Sequence, residues 1–286
     1  MLPSCRYTRA AAAAAGLCLA IVAPSRAQAG QDGIRAVDNS VSAAYDYLHV
    51  FYAEPSDGGI AASNYDTEDG ALSDGAMVAA SAMRSFGSWQ DLYAQASFSR
   101  ATGRLPYDGH IQFPFFSITA PFQGTSSARI NDWGLRLGKG VEAGERWLWT
   151  PYLAYGYHAW ARTLPGNALA TGYAENYSHH ALQFGTRVQY APAASVVLTA
   201  DGRFGTTLAP HISVPSQQFS QRLGAAPIID LEAEADYAFH GHFHVFMGWR
   251  YSRYGYGQSG VEAGQLEPAS TTELMSCLAG LRFSFR

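Results

Sequence analysis

Period-two alternation of apolar and charged side chains, sustained over strand-length stretches, is the feature of this 286-residue chain that most limits its folds. Between 227 and 239, Ile229, Leu231, Ala233, Ala235, Tyr237 and Phe239 fall on one face, and Asp230, Glu232, Glu234 and Asp236 on the other. Next along, Phe243, Val245, Met247, Trp249 and Tyr251 oppose His244, Gly248, Arg250 and Ser252. The last stretch sets Met275, Cys277, Ala279, Leu281, Phe283 and Phe285 against Ser276, Gly280, Arg282 and Ser284. Successive side chains of an extended chain point to opposite sides, so each stretch reads as a strand with one greasy and one polar face. Soluble sandwiches alternate too, with the apolar face as core. Here, however, aromatic rings gather near the strand ends and charges of both signs share the opposite face. That pattern fits a lipid-facing belt with aromatic girdles around a polar interior.

The connections carry the same message. Strands are read at about 41–53, 74–85, 89–102, 129–140, 146–163, 175–190, 195–208, 227–239, 243–257 and 271–285. Short turns at 86–88, 141–145, 191–194 and 240–242 alternate with long loops at 54–73, 103–128, 164–174, 209–226 and 258–270. The expected fold is therefore all-β, an antiparallel up-and-down transmembrane β-barrel of ten strands with long extracellular loops and short periplasmic turns. Eight or twelve strands remain open: the Ala and Ser residues of 74–85 define no face, and Asp46 and His49 fall on opposite faces of the first strand.

Composition removes the competitors. Only 15% of residues are charged, against about 25% in an ordinary soluble domain. A mean hydropathy of −0.10 argues against a bundle of membrane helices, which needs apolar runs of about 20 residues. The net charge of −4 argues against a strongly basic nucleic-acid binder. Residues 1–29 read as a signal peptide: Arg6 and Arg9, an apolar stretch from Ala10 to Ala23, then Ala27-Gln28-Ala29 with cleavage after Ala29. Residues 30–40 form a short periplasmic segment and 41–286 the barrel domain. Cleavage would leave Cys277 as the lone cysteine, too few for an intramolecular disulfide.

A ten-stranded lumen is narrow, so charges inside it must pair. The acids Asp201, Asp230, Glu232, Glu234 and Asp236 have candidate partners in Arg136, Arg162, Arg187, Arg203 and Arg250. Arginine suits this because its planar fork bonds carboxylates bidentately and stays charged when partly desolvated. The network either holds the barrel shut or lines an ion path. His240, His242 and His244 share a spacing that could bind a metal, but Gly241 marks a tight turn that would splay them. No metal ligand set and no cofactor are expected. Acids crowd 54–74, whose spacing does not match a calcium loop, so that segment reads as a solvated acidic loop. Loop 103–128 carries Phe113, Phe115, Phe116, Ile118 and Phe122, suited to plugging the mouth or meeting a partner. Catalysis is not expected: neither an acidic pair nor a His-Asp dipeptide stands at a strand top, and His211-Ile212-Ser213 lacks a Glu at a convincing position.

The segment Thr150-Pro151-Tyr152-Leu153-Ala154-Tyr155-Gly156-Tyr157 and the closing Leu281-Arg282-Phe283-Ser284-Phe285 give the chain a family look. It resembles small Gram-negative outer-membrane barrels of the OmpA-type or opacity-type superfamily, with the strand count of omptins. The resemblance implies residence in the cell outer membrane, among lipids and lipopolysaccharide. It further implies that the barrel-assembly machinery reads Phe283 and Phe285, although Arg286 follows them, and that signal peptidase acts at Ala27 and Ala29. The expected function is a structural or surface-interaction role through the extracellular loops. A narrow, weakly cation-selective channel is the alternative, and an outer-membrane hydrolase a third.

Overall fold

A strand in hydrocarbon must pair every backbone group, and a sheet achieves this only by closing on itself. The computed structural model, which describes residues 30–55, 65–113, 118–166, 171–261 and 266–285, shows that closure. One short helix, α1 (Gln31–Asp38), precedes thirteen strands. These are β1 (Ser40–Pro55), β2 (Tyr65–Leu72), β3 (Asp74–Phe86), β4 (Trp89–Phe113), β5 (Ile118–Lys139), β6 (Val141–Glu142) and β7 (Trp147–Thr163). They continue with β8 (Ala174–Ala193), β9 (Val196–Val214), β10 (Phe219–Arg222), β11 (Pro227–His240), β12 (Phe243–Tyr256) and β13 (Ser270–Ser284).

β2 and β3 are one wall strand interrupted at Ser73, since both pair with β1 and with β4. The short β6 and β10 fold back on β7 and β9. What remains is a ring of ten antiparallel strands, closed by β1 against β13 from Ser40↔Ser284 to Ala53↔Thr271. The ten strand positions expected from sequence are the ten positions of the ring.

Two expectations about loops need correction. Residues 103–128 continue β4 and β5 as a paired hairpin up to Phe113↔Ile118. About ten residues suffice to cross the hydrocarbon, so the outer part of that hairpin stands clear of it. Phe122 packs against Tyr107 at 6.0 Å; the side chains of Phe113, Phe115, Phe116 and Ile118 lie outside the description. Residues 65–72 likewise form strand β2, and Asp66 and Glu68 are buried in the barrel mouth. Period-two geometry turns these acids inward, where Tyr107 and Arg162 meet them. The proposed signal peptide, with Ala27 and Ala29, falls outside the described residues.

Alternation assigns the faces as the sequence pattern indicates. On β11, Ile229, Leu231, Tyr237 and Phe239 are exposed on the outside, while Asp230 and Asp236 are buried. The exposed apolar set continues around the ring through Leu135, Leu153, Phe184, Phe204, Met247 and Leu281. So broad an exposed apolar belt is not a water-facing surface.

Candidate functional site

The interior is filled in layers, beginning at the end with the short turns. α1 lies across that mouth. Its Ile34 and Val37 are buried against Met83, Tyr93, Leu148, Ala191 and Val197, all inward residues of the wall. Gln31 Nε2 donates to the carbonyls of Gly144 (2.7 Å) and Trp147 (2.8 Å), and Arg35 pairs with Asp91 (3.3 Å) and Glu142 (2.5 Å). At the helix end, fully buried Asp38 accepts from Arg187 Nη1 at 2.6 Å and Gln189 Nε2 at 3.1 Å. Arg187 therefore holds the N-terminal segment, not the acid row on β11.

Two charged belts follow. Arg282 donates to Glu234 (2.9 and 3.0 Å) and Asp236 (2.6 Å), and His244 Nδ1 stands 2.6 Å from Asp236. Above them Arg136 bridges Glu232 (2.6 Å) and Asp201 (3.3 Å), while Arg203 bridges Asp230 (2.8 Å) and Glu232 (3.2 Å). Tyr152 donates to Asp201, and Gln183 to Asp230. Arg250 of β12 reaches over the neighbouring β13 to Asp46 of β1 at 2.6 Å. Of the five arginines offered on sequence grounds to Asp201 and the β11 acids, Arg136 and Arg203 reach them. Arg282, whose parity on β13 matches inward Ser276 and Ser284, takes Glu234 and Asp236.

A cavity of about 140 Å³ follows, lined by Asp46, Arg136, Asp230, Glu232, Arg250 and His158 among others. Its far wall is a histidine–tyrosine layer. His158 lies between Asp132 (2.6 Å) and Tyr254 (2.8 Å), His179 contacts Tyr256 at 2.9 Å, and the two imidazoles stack at 5.0 Å.

The end with the long loops is capped by rings around a guanidinium. Arg162 donates to Glu175 at 2.6 Å, lies 3.6 Å from Glu68, and sits over Tyr52 (4.4 Å), Trp160 (5.2 Å) and Tyr177 (5.3 Å). Trp160, Tyr52 and Tyr177 have essentially no solvent exposure. Tyr177 donates to Glu267 (2.5 Å), reaching into the β12–β13 loop. Burial pushes the Glu267 carboxyl up to about 7, with the neighbouring Glu175 charge adding to the effect. The β9–β11 connection folds over the same end, burying Phe219 and Leu223 beside Ile212, Val214 and Ile228. None of these rings figured among the sequence candidates. The signal was parity: Trp160 is in step with Arg162, and Tyr254 and Tyr256 with Arg250 and Ser252.

The remaining candidates fall as follows. His244 faces inward, but His240 and His242 are exposed beside the Gly241 turn (φ 54°), so the three do not converge. Among the described residues no group of three or more His, Cys, Asp or Glu side chains is arranged to hold a metal. His211 Nε2 meets Ser220 Oγ at 3.0 Å, at the outer edge of β9. Phe283 faces outward against Phe243 at 5.3 Å, and Phe285 lies beneath Arg84 at 5.9 Å.

No family model and no curated protein matches the chain. Among solved structures, the outer membrane protease OmpT of Escherichia coli superposes with a TM-score of 0.58 at 9% identity, covering 86% of this chain and 95% of that one. The translocator domain of the autotransporter NalP of Neisseria meningitidis gives 0.42 at 11% identity, over 86% and 88% of the two chains. The COG4313 outer membrane channel of Pseudomonas putida F1 gives 0.34 at 10%, over 92% and 99%. The last two superpose too loosely to carry an argument. Likeness to OmpT at this identity concerns architecture alone: the chain has the fold of an outer-membrane β-barrel.

Proposed function

We propose that the protein spans the outer membrane as a barrel closed at both ends, with a structural or surface-interaction role through its outer wall and the hairpins beyond it. The observation that carries this reading is the cap: Trp160, Tyr52 and Tyr177, fully buried around Arg162, occupy the lumen where a solute path would open. In this reading the long loops face the exterior and α1 faces the periplasm. Phe283 and Phe285 serve the barrel-assembly machinery during biogenesis, and no cofactor or catalytic step takes part. Refolded protein in planar bilayers should give no steady conductance. A large, unselective conductance would overturn the reading and make the protein a general porin.

The second reading is a narrow, weakly cation-selective path. It is favoured by the internal cavity, whose lining includes Asp46, Asp230 and Glu232, since carboxylate-lined pores prefer cations. A small cation-favouring conductance that Glu232→Gln with Glu234→Gln makes less selective would support this reading over the first.

A further inference from the structure

The outer wall has one place where charge and shape coincide. The register of β3, β4, β5 and β7 lines outward residues into rows. Ala80, Ala96 and Leu135 form one row, bounded by Val41 of β1 and Tyr155 of β7. The row above it, toward the loop end, is Val78, Phe98, Trp133 and Tyr157. These two rows enclose an apolar groove of about 640 Å³, with the two alanines as floor and the Phe98–Trp133 pair (ring centroids 4.4 Å apart) as one wall.

Immediately above come Arg100 beside Asn131, then Arg129 beside Thr102, then Arg104 beside Ser127. Parity puts all three arginines on the same outer face as the groove, and all three are exposed. At about 3.3 Å per residue, Arg100 lies roughly 7 Å along the strand from Phe98. On β4 and β5 the outward apolar rows end at Phe98 and Trp133 and polar rows begin. These arginines therefore stand where the apolar belt gives way, a depth at which an outward arginine is tolerated far better than at the midplane. Among the described residues none of the three makes an ion pair, and Asp74, the carboxylate in the Thr102 row, is bonded to none of them. By contrast Arg253, also outward at the loop end, has Glu273 at 3.6 Å. Three unpaired guanidinium forks over an apolar slot are complementary to a phosphate carried on an acyl chain.

We infer that this face binds a phosphorylated lipid of the leaflet at the loop end, its phosphate held by Arg100 and Arg129 with Arg104 above, and one acyl chain lying in the groove between Ala80, Ala96, Phe98 and Trp133. The site shares with the proposed function only the premise that the barrel sits in a membrane; it does not depend on the lumen being closed.

The test uses the full refolded barrel in detergent, with purified lipid A as probe and native mass spectrometry as readout. A band that shifts on boiling certifies each variant as folded, so failure of the barrel is distinguishable from failure of the site. Wild type should retain lipid A, and Arg100→Gln with Arg129→Gln should weaken retention at least tenfold. Dephosphorylated lipid A should bind wild type at least tenfold less. Ala96→Phe, or Ala80→Leu if that variant misfolds, should weaken lipid A severalfold by filling the slot. Undiminished binding by a folded double-arginine variant, or indifference to dephosphorylation, would overturn the inference. Inorganic phosphate competing as strongly as lipid A would overturn the acyl half of it. A stable dimer that excludes lipid would assign the face to a second copy of the chain instead.

Discussion

The two ends of the lumen are closed by different devices. At the turn end the stopper is a separate piece of chain: α1 is eight residues long and reaches the wall through Ile34, Val37, Asp38 and a few peripheral bonds. At the loop end the cap is the wall itself, because Tyr52, Trp160, Arg162 and Tyr177 project from β1, β7 and β8. A docked segment can open on its own, whereas a cap made of wall residues opens only when the sheet does. The difference separates a removable closure from a permanent one, although both look equally dense in section.

The largest expected effect breaks the permanent closure. Arg162→Ala leaves Glu68 and Glu175 buried without their counter-charge and takes the cation from three rings. Removing one member of a buried pair typically costs about 3–5 kcal/mol, so the urea midpoint of the refolded barrel should fall sharply. Arg162→Lys should recover part of that loss, since it restores charge without the planar fork. A loss under about 1 kcal/mol would show that the cap is not integral to the wall.

Much of this architecture was legible in the sequence, and the limits have physical causes. Strands β11, β12 and β13 declared both faces because greasy residues on one side alternate with charged and small polar ones on the other. The pattern is interrupted by inward Phe246, Leu274 and Leu278 and by outward Arg253 and Glu273. Strand β3 declared neither, and the outward rows explain why: Ala76, Ala80 and Ala82 face outward, two of its inward neighbours are Gly75 and Ala79, and neither set has a strong character. The first strand looked inconsistent because Asp46 is buried against Arg250, whereas His49, of opposite parity, pairs with Asp69 on the outside. Pairing inside the lumen was less legible. Parity shows that Arg187 and Arg250 face inward, but their height and position around the ring decide their partners, and these depend on stagger. The α1 stopper left no signal of its own, since eight residues with Ile34 and Val37 look like any short segment until a mouth of matching shape is present.

A middle-sized effect sharpens the comparison through pH. The Glu267 carboxyl, raised by burial from 4.5 to about 7, binds its proton more tightly in the folded protein than in the unfolded chain. Its contribution is therefore fully present below pH 4.5 and is lost as pH rises toward 7, with no further change above that. Each pH unit in the window is worth at most about 1.4 kcal/mol. Urea midpoints should decline between pH 5 and pH 7, and Glu267→Gln should flatten the decline. An unchanged slope in that variant would place the pH dependence elsewhere than at the loop end.

The smallest effect on global stability is the most discriminating between the two closures. Gln31→Ala combined with Arg35→Ala removes the peripheral ties of α1 while leaving Ile34, Val37 and Asp38 in place. Exposed ion pairs are worth about 0–1 kcal/mol, and an isolated eight-residue helix is not stable in water. The barrel's unfolding midpoint should therefore barely move. The amides of α1, whose opening is local, should exchange up to about tenfold faster, because about 1.4 kcal/mol is a factor of ten in an equilibrium constant. Those of β7 and β8 beneath the cap should keep their protection. Bilayer recordings should stay silent, since loosening the stopper leaves the cap shut. Were α1 to exchange only together with the wall strands, the stopper would be as permanent as the cap and the distinction would fail. Were the double variant to conduct, the Arg162 cap would not be a seal, and α1 alone would be closing the lumen.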